Sequence, residues 1–209
     1  VALKRINLKI YKGEVCCIFG TSGSGKSTFL NQLAGMEKPT KGQVFIRGKN
    51  ISDMNEEELA AFRQEHMSFI FQSYNLLPSM TAVENVAMPL MFKGMDRKKR
   101  EAMAEEMLKR VGLSHRLHHY PSQMSGGQQQ RAGIARAFVS RPEVVFADEP
   151  TGNLDTKTTA EIMDMVMGFA RRFNQTIILV THDPGMSRYA DRIVTLVDGI
   201  ITGDERKGQ

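Results

Sequence analysis

Gly20-Thr21-Ser22-Gly23-Ser24-Gly25-Lys26-Ser27-Thr28 is the stretch of this 209-residue chain whose residue types and spacing most directly imply chemistry. It fits G-x-x-x-x-G-K-[ST], the pattern of a phosphate-binding loop. Glycines there let successive backbone N–H groups converge on phosphate oxygens, and Lys26 brings a positive charge to the same point. The helix that follows such a loop adds the positive end of its dipole, and the Ser27 hydroxyl is placed to ligate Mg²⁺. The flanks agree: Val15 to Phe19 reads as a strand entering the loop, and Phe29, Leu30 and Leu33 read as a helix leaving it.

Two further segments are suggestive without being decisive. Val144-Val145-Phe146-Ala147 is an apolar strand that ends in Asp148 and Glu149. A carboxylate at the end of a parallel strand beside a phosphate loop can hold the hydration shell of Mg²⁺, a role for Asp148. Glu149 can then act as general base and polarise water for in-line attack on a γ-phosphorus. Taken alone, the same run suits the end of a surface strand equally well. Ser125-Gly126-Gly127-Gln128, leading into Ala132, Gly133, Ala135 and Ala137, makes a second anion-binding helix start with a hydroxyl donor. It also reads simply as a capped helix whose small residues permit close packing. His182, just past the apolar run Ile177 to Val180, could be an ordinary strand-end histidine.

These residues need a scaffold that brings them together. Strand-length apolar runs occur at Val15 to Phe19, Ser68 to Phe71, Val144 to Ala147, Ile177 to Val180 and Ile193 to Val197. Runs that are continuously apolar imply a sheet covered on both faces, and the helical patterns between them imply parallel crossovers. Val1 to Leu8 alternates as a further strand, turning at Lys12-Gly13. From about residue 76 to 140 the pattern is helical only, over Thr81 to Phe92 and Arg97 to Val111. The spacing therefore predicts an α/β core with a helical insertion.

Bulk properties narrow the class. With 41% hydrophobic and 24% charged residues the chain can build one sizeable core. No apolar run approaches the roughly 20 residues that span a bilayer, so a soluble domain is expected. Cys16 and Cys17 are adjacent, which suits neither a disulfide framework nor a zinc site and predicts reduced core residues. The net charge of +5 is a weak signal. Its densest run, Arg97, Lys98, Lys99 and Arg100, is followed by Glu101, Glu105 and Glu106, which predicts a solvated helix and no nucleic-acid partner.

The ordered combination resembles the ABC ATPases. It comprises the phosphate loop, Gln72 in Phe71-Gln72-Ser73-Tyr74-Asn75, a signature-like Ser125 to Gln129, Asp148-Glu149, Gly152-Asn153-Leu154-Asp155 and His182. The resemblance implies an α/β P-loop NTPase fold with a mainly parallel core sheet, N-terminal antiparallel strands and an inserted helical subdomain. It implies one ABC domain over 1–209, with the core at 1–75 and 141–209, the helical part at about 76–140, and a natural start upstream of Val1. It implies ATP and Mg²⁺, with Gly20 to Thr28 on the nucleotide and Ser27, Gln72 and Asp148 at the metal. Catalysis would fall to Glu149, His182, Gln72 and Lys26, with His182 contacting the γ-phosphate.

The resemblance further implies a head-to-tail dimer with a second copy or a paralogous ATPase. Each ATP would lie between one phosphate loop and the partner's Ser125, Gly126, Gly127 and Gln128, with Asp155 communicating across the dimer. Integral membrane permease subunits would dock near residues 72–92, placing the chain peripherally at the cytoplasmic face of the inner membrane. The run Phe71 to Pro78, Thr81 to Val86 and Ser125 to Arg131 looks most like the bacterial branch of lipoprotein release, macrolide and antimicrobial-peptide export and cell division. A non-transport ABC ATPase that regulates a membrane or soluble complex is the alternative. The family's adenine-stacking aromatic has no counterpart before Leu8, and Tyr11 stands too late in the chain to match it.

Overall fold

The computed structural model describes residues 3–207. Strand β1 (Val15–Phe19) runs into helix α1 (Lys26–Leu33), and a two-stranded antiparallel ribbon follows, β2 (Phe45–Ile46) with β3 (Lys49–Asn50). Helix α2 (Glu56–His66) leads into β4 (Met67–Phe71). Between β4 and β5 (Val144–Asp148) there are only helices, chiefly α3 (Ala82–Phe92), α4 (Arg97–Arg110) and α5 (Gly126–Val139). Helix α6 (Thr156–Phe173), β6 (Thr176–Thr181), β7 (Arg192–Val197) and β8 (Ile200–Arg206) complete the order.

The main sheet runs β4-β5-β6-β1-β7-β8. Every pairing in it is parallel except β7 with β8. Side chains alternate between its two faces, as the period of a strand requires. Val15, Cys17, Val145, Ala147, Ile177 and Leu179 point into one buried cluster with α3 to α6. Cys16, Ile18, Phe146, Ile178 and Val180 point into the other, with Phe29, Leu30, Leu59 and Phe62 from α1 and α2. Both cysteines are free and fully buried, and burial pushes their thiols up to about 12 and about 11, which leaves them unreactive.

One expected strand is not formed. Val1 and Ala2 lie outside the described residues, and from Leu3 to Leu8 the chain makes no strand pairing. Arg5 stands at φ 51°, which breaks the extended run, although Leu3, Ile6 and Leu8 still pack against the core. Antiparallel pairing occurs instead at 45–50 and at the β7–β8 edge.

The helices start where local chemistry satisfies their free N–H groups. Thr81 caps α3 and Ser125 caps α5, each in a reciprocal capping box with Glu84 and Gln128 respectively. Asn85 on α3 is fully buried. Its amide donates to the carbonyls of Leu77, Met80 and Thr81 and accepts from Leu77 N–H at 2.7 Å, which fixes the loop between β4 and α3. Asn85→Leu strands those backbone groups, so it should destabilise the fold by about 1–3 kcal/mol in urea titration. A change within a few tenths would show that the loop rehydrates freely.

Candidate functional site

Parallel register collects the candidate residues. Phe19 pairs with Thr181, Asp148 with Val180 and Phe71 with Asp148, so β1, β4, β5 and β6 finish at one edge. The next residues along the chain, Gly20, Gln72, Glu149 and His182, therefore share that edge.

After β1 the chain must turn tightly to enter α1. Gly25 is the N-cap of α1 at φ 100°, a conformation that a Cβ strongly disfavours. At Gly20 a Cβ would stand 2.4 Å from the Leu196 carbonyl oxygen, so only glycine fits. Lys26 is buried, and its Nζ donates to the Thr21 carbonyl at 2.7 Å, spanning the loop from within. Buried Ser24 has no hydrogen-bond partner for its Oγ, while Gly199 N–H holds its carbonyl at 2.9 Å.

The acids beside this loop are electrostatically loaded. Partial burial raises the Asp148 carboxyl above its ordinary 3.8; the negative charge of Glu149 pushes the same way and Lys26 opposes both. Glu149 adopts φ 44°, unusual for a non-glycine residue and a source of local strain. It is held there by its own N–H on the Val180 carbonyl at 2.9 Å and by His182 Nδ1 at 2.7 Å from its Oε1. With Glu149 as a carboxylate, which only accepts, this contact is made by the tautomer of His182 that carries its proton on Nδ1. Gln72 is tied to the turn beyond Glu149: its Nε2 donates to Asn153 Oδ1 at 3.3 Å, and Asn153 Nδ2 returns a bond to the Gln72 carbonyl at 3.2 Å.

Together these groups line an open cleft of about 710 Å³. Thr21, Ser22, Gly23, Gly25, Lys26, Ser27 and Thr28 form one wall, and Gln72, Asp148, Glu149 and His182 face them. Gly20 and Ser24 sit behind the wall as support. The volume suits a nucleotide-sized ligand. Ser27, Gln72 and Asp148 offer a hydroxyl, an amide oxygen and a carboxylate, the hard oxygen donors that Mg²⁺ takes alongside water.

The second anion-binding segment is not part of this cleft. Ser125, Gly126, Gly127 and Gln128 are absent from its lining, and so is Asp155. Ser125 is exposed, with its Oγ accepting from Gln128 N–H at 3.3 Å. Asp155 caps α6, accepting from Lys157 and Thr158 N–H and from Thr158 Oγ1 at 2.6 Å; those bonds hold its carboxyl below the usual range. Tyr11 is likewise away from the cleft.

Several residues of this region escape a reading of motifs. Phe19 lines the cleft from the end of β1, and Asn153 anchors Gln72. Gln130 and Arg136 are buried polar residues on α5, and no pattern marks them out in a helix that also carries Gln128, Gln129 and Arg131.

Residues 3–152 match the family described as ABC transporter. The chain belongs to that family. Over 205 residues it is 49% identical to the macrolide export ATP-binding/permease protein MacB of Shewanella sp. (strain W3-18-1), covering 98% of this chain and 32% of the relative. The ABC chain thus spans about a third of that relative's length. It is 45% identical to the lipoprotein-releasing system ATP-binding protein LolD of Cytophaga hutchinsonii, covering 95% of this chain and 91% of the relative. Its fold matches the dimeric post-hydrolysis structure of the ATP-binding cassette MJ0796 bound to ADP and Pi. The TM-score is 0.90 at 42% identity, over 98% of this chain and 90% of that one. The expected P-loop fold, mainly parallel with separate antiparallel strands, is therefore the fold of this ABC protein.

The raised Asp148 carboxyl makes a signed prediction for the nucleotide-free protein. Its folded-state pKa lies above its unfolded one, so ionisation there opposes folding. That cost is complete above the raised pKa, shrinks as pH falls through it and vanishes below the ordinary 3.8. Asp148→Asn should therefore be more stable than the parent at pH 7.5, with the gap narrowing towards pH 4 in denaturant titrations. A gap independent of pH would remove the electrostatic explanation.

Proposed function

We propose that this chain is the ATP-binding and ATP-hydrolysing motor of an ABC transporter, coupled to membrane subunits. One observation carries the reading: the strand register assembles Lys26, Gln72, Asp148, Glu149 and His182 around a single nucleotide-sized cleft. The relatives named for macrolide export and lipoprotein release support the transport assignment.

In this reading the loop N–H groups and Lys26 bind the β- and γ-phosphates of ATP, exchanging the Lys26 contact with Thr21 for one with phosphate. Ser27, Gln72 and Asp148 hold Mg²⁺, which supplies positive charge against the phosphate oxygens. Glu149, already aimed by its backbone strain and by His182, accepts the proton of the attacking water. His182, freed from Glu149 when that proton moves, could then donate to the γ-phosphate alongside Lys26.

The chain works as one domain, with a core of 1–75 and 141–209 and a helical part of about 76–140. Two copies, or this chain and a paralogue, pack head to tail. Ser125 to Gln128 of each then completes the other's cleft, and Asp155 lies near the seam. This accounts for a second anion-binding helix start standing outside the cleft of its own chain. Exposed Leu77, Met91 and Phe92 offer an apolar surface within 72–92 for a permease segment. The motor would then sit peripherally on the cytoplasmic side of the membrane. No helix among the described residues is long and apolar enough to cross it.

The decisive variant is Glu149→Gln. It should bind ATP, lose about 10²–10⁴-fold in turnover and accumulate as an ATP-dependent dimer by gel filtration. Near-normal phosphate release would remove Glu149 as the base. Expressed in its own host and solubilised from membranes with ATP, the same variant should retain an integral membrane protein in stoichiometric amount. Recovery only with soluble partners would overturn the transport assignment and leave the ATPase standing. Lys26→Ala should lose ATP binding or turnover whatever its oligomeric state.

A further inference from the structure

Arg136 lies about three turns along α5 from Gly126. Its guanidinium is buried, and its surroundings supply desolvation with no compensating carboxylate. Instead Nη1 donates to the Asn75 carbonyl at 2.6 Å and Nη2 to the Tyr74 carbonyl at 2.9 Å. Both accepting residues are left-handed, at φ 62° for Tyr74 and 48° for Asn75. A buried cation and two strained residues together make an expensive contact that an apolar side chain would avoid. The contact falls two and three residues after Gln72.

The same helix holds the other side of Gln72 as well. Gln130 Nε2 donates to the carbonyls of Phe71 and Pro150, the residues just before Gln72 and just after Glu149. At the start of α5 the Tyr74 hydroxyl closes on the backbone, 2.8 Å from where a Cβ of Gly126 would be. Helix α5 is therefore fastened directly to the loop that carries Gln72, and it begins at the Ser125 to Gln128 segment, whose first residue is exposed.

We propose that Arg136 is a positioning residue that locks the Gln72 loop to α5, so that a shift of Gln72 in one nucleotide cleft moves the Ser125–Gln128 segment offered to the other. The inference rests on the two-copy reading proposed above. Arg136 touches neither cleft; it acts through the Tyr74 and Asn75 carbonyls.

The test separates binding from coupling in a Glu149→Gln parent, where hydrolysis does not interfere. Labelled ATP bound by dilute monomer is measured by equilibrium dialysis, and dimer formation is followed by sedimentation over a series of ATP concentrations. Arg136→Met should bind ATP as a monomer within about twofold of the parent, yet need about tenfold more ATP for half-dimerisation, the size of a typical coupling between sites. Arg136→Lys, which keeps the charge and one donor, should recover part of that shift. A folded Arg136→Met with the parent's dimerisation curve overturns the proposal, and so does an equal loss of binding and dimerisation. Should Arg136→Met fail to fold, the lysine variant decides, and an unshifted curve overturns the proposal. A parent that binds ATP but never dimerises overturns the two-copy reading and this inference with it.

Discussion

A parallel strand delivers its last residue, and the turn beyond it, to one edge of the sheet. Four neighbouring strands in register, β4, β5, β6 and β1, do so together. That geometry is the constraint on which the cleft depends, because its residues come from segments up to 163 positions apart, Phe19 and His182. No local structure could bring them together. Burial maintains the register: each strand is apolar towards both clusters, and a slip of one residue would turn Cys16 and Cys17, or Phe146 and Ala147, onto the wrong faces. The unreactive thiols and the stacked Phe69 and Phe146 rings are thus part of what aims the site.

The edge itself carries costs that the core offsets. Asp148 is partly desolvated beside a like charge, Glu149 is held at positive φ, and Ser24 buries an unpartnered hydroxyl. Each would be removed by a conservative change, and each sits within the wall or the support of one cleft. Strain and unpartnered polar atoms occur elsewhere too, as at Arg5 and at the Gln130 and Gln175 amide oxygens, but at this edge they meet on residues that line or support one cleft. Lys26 illustrates the logic, since its contact with Thr21 keeps a buried cation satisfied in the wall of the cleft.

Much of this was legible in the sequence because the relevant signals are local. The five apolar runs became β1, β4, β5, β6 and β7, each within a residue of its expected start, since continuous burial leaves no alternative pattern. The helical pattern placed the starts of α3 and α4 at Thr81 and Arg97, and Thr81 proves to be the cap of α3 and Arg97 the residue after the cap Asp96 of α4. The segment Leu3 to Leu8 misled, because alternation reports which residues are buried and not whether a neighbouring strand is there to pair with. Its apolar residues do pack inward, while Arg5 breaks the extended backbone. The roles of Asn153, Gln130 and Arg136 were illegible for a different reason. Their partners are backbone carbonyls and an amide 20 to 81 positions away, and no spacing rule records such contacts.

Those long-range contacts also bear on how a motor of this kind could convert a small chemical change into motion. Losing one phosphate alters charge and hydrogen bonding over only a few ångströms, so a large response needs a stiff element fixed at the point of change. Helix α5 meets that requirement: it is buried from Gln130 to Val139 except at Arg131, and its polar side chains grip the backbone on both sides of Gln72 and behind Glu149. Its start, by contrast, is exposed at Ser125. If Gln72 moves with the nucleotide, as proposed, a stiff helix held at its loop carries that displacement to the exposed tip at Ser125. On the proposed two-copy reading that tip belongs to the neighbour's cleft, and coupling between the two ATP sites follows from the mechanics of a single helix.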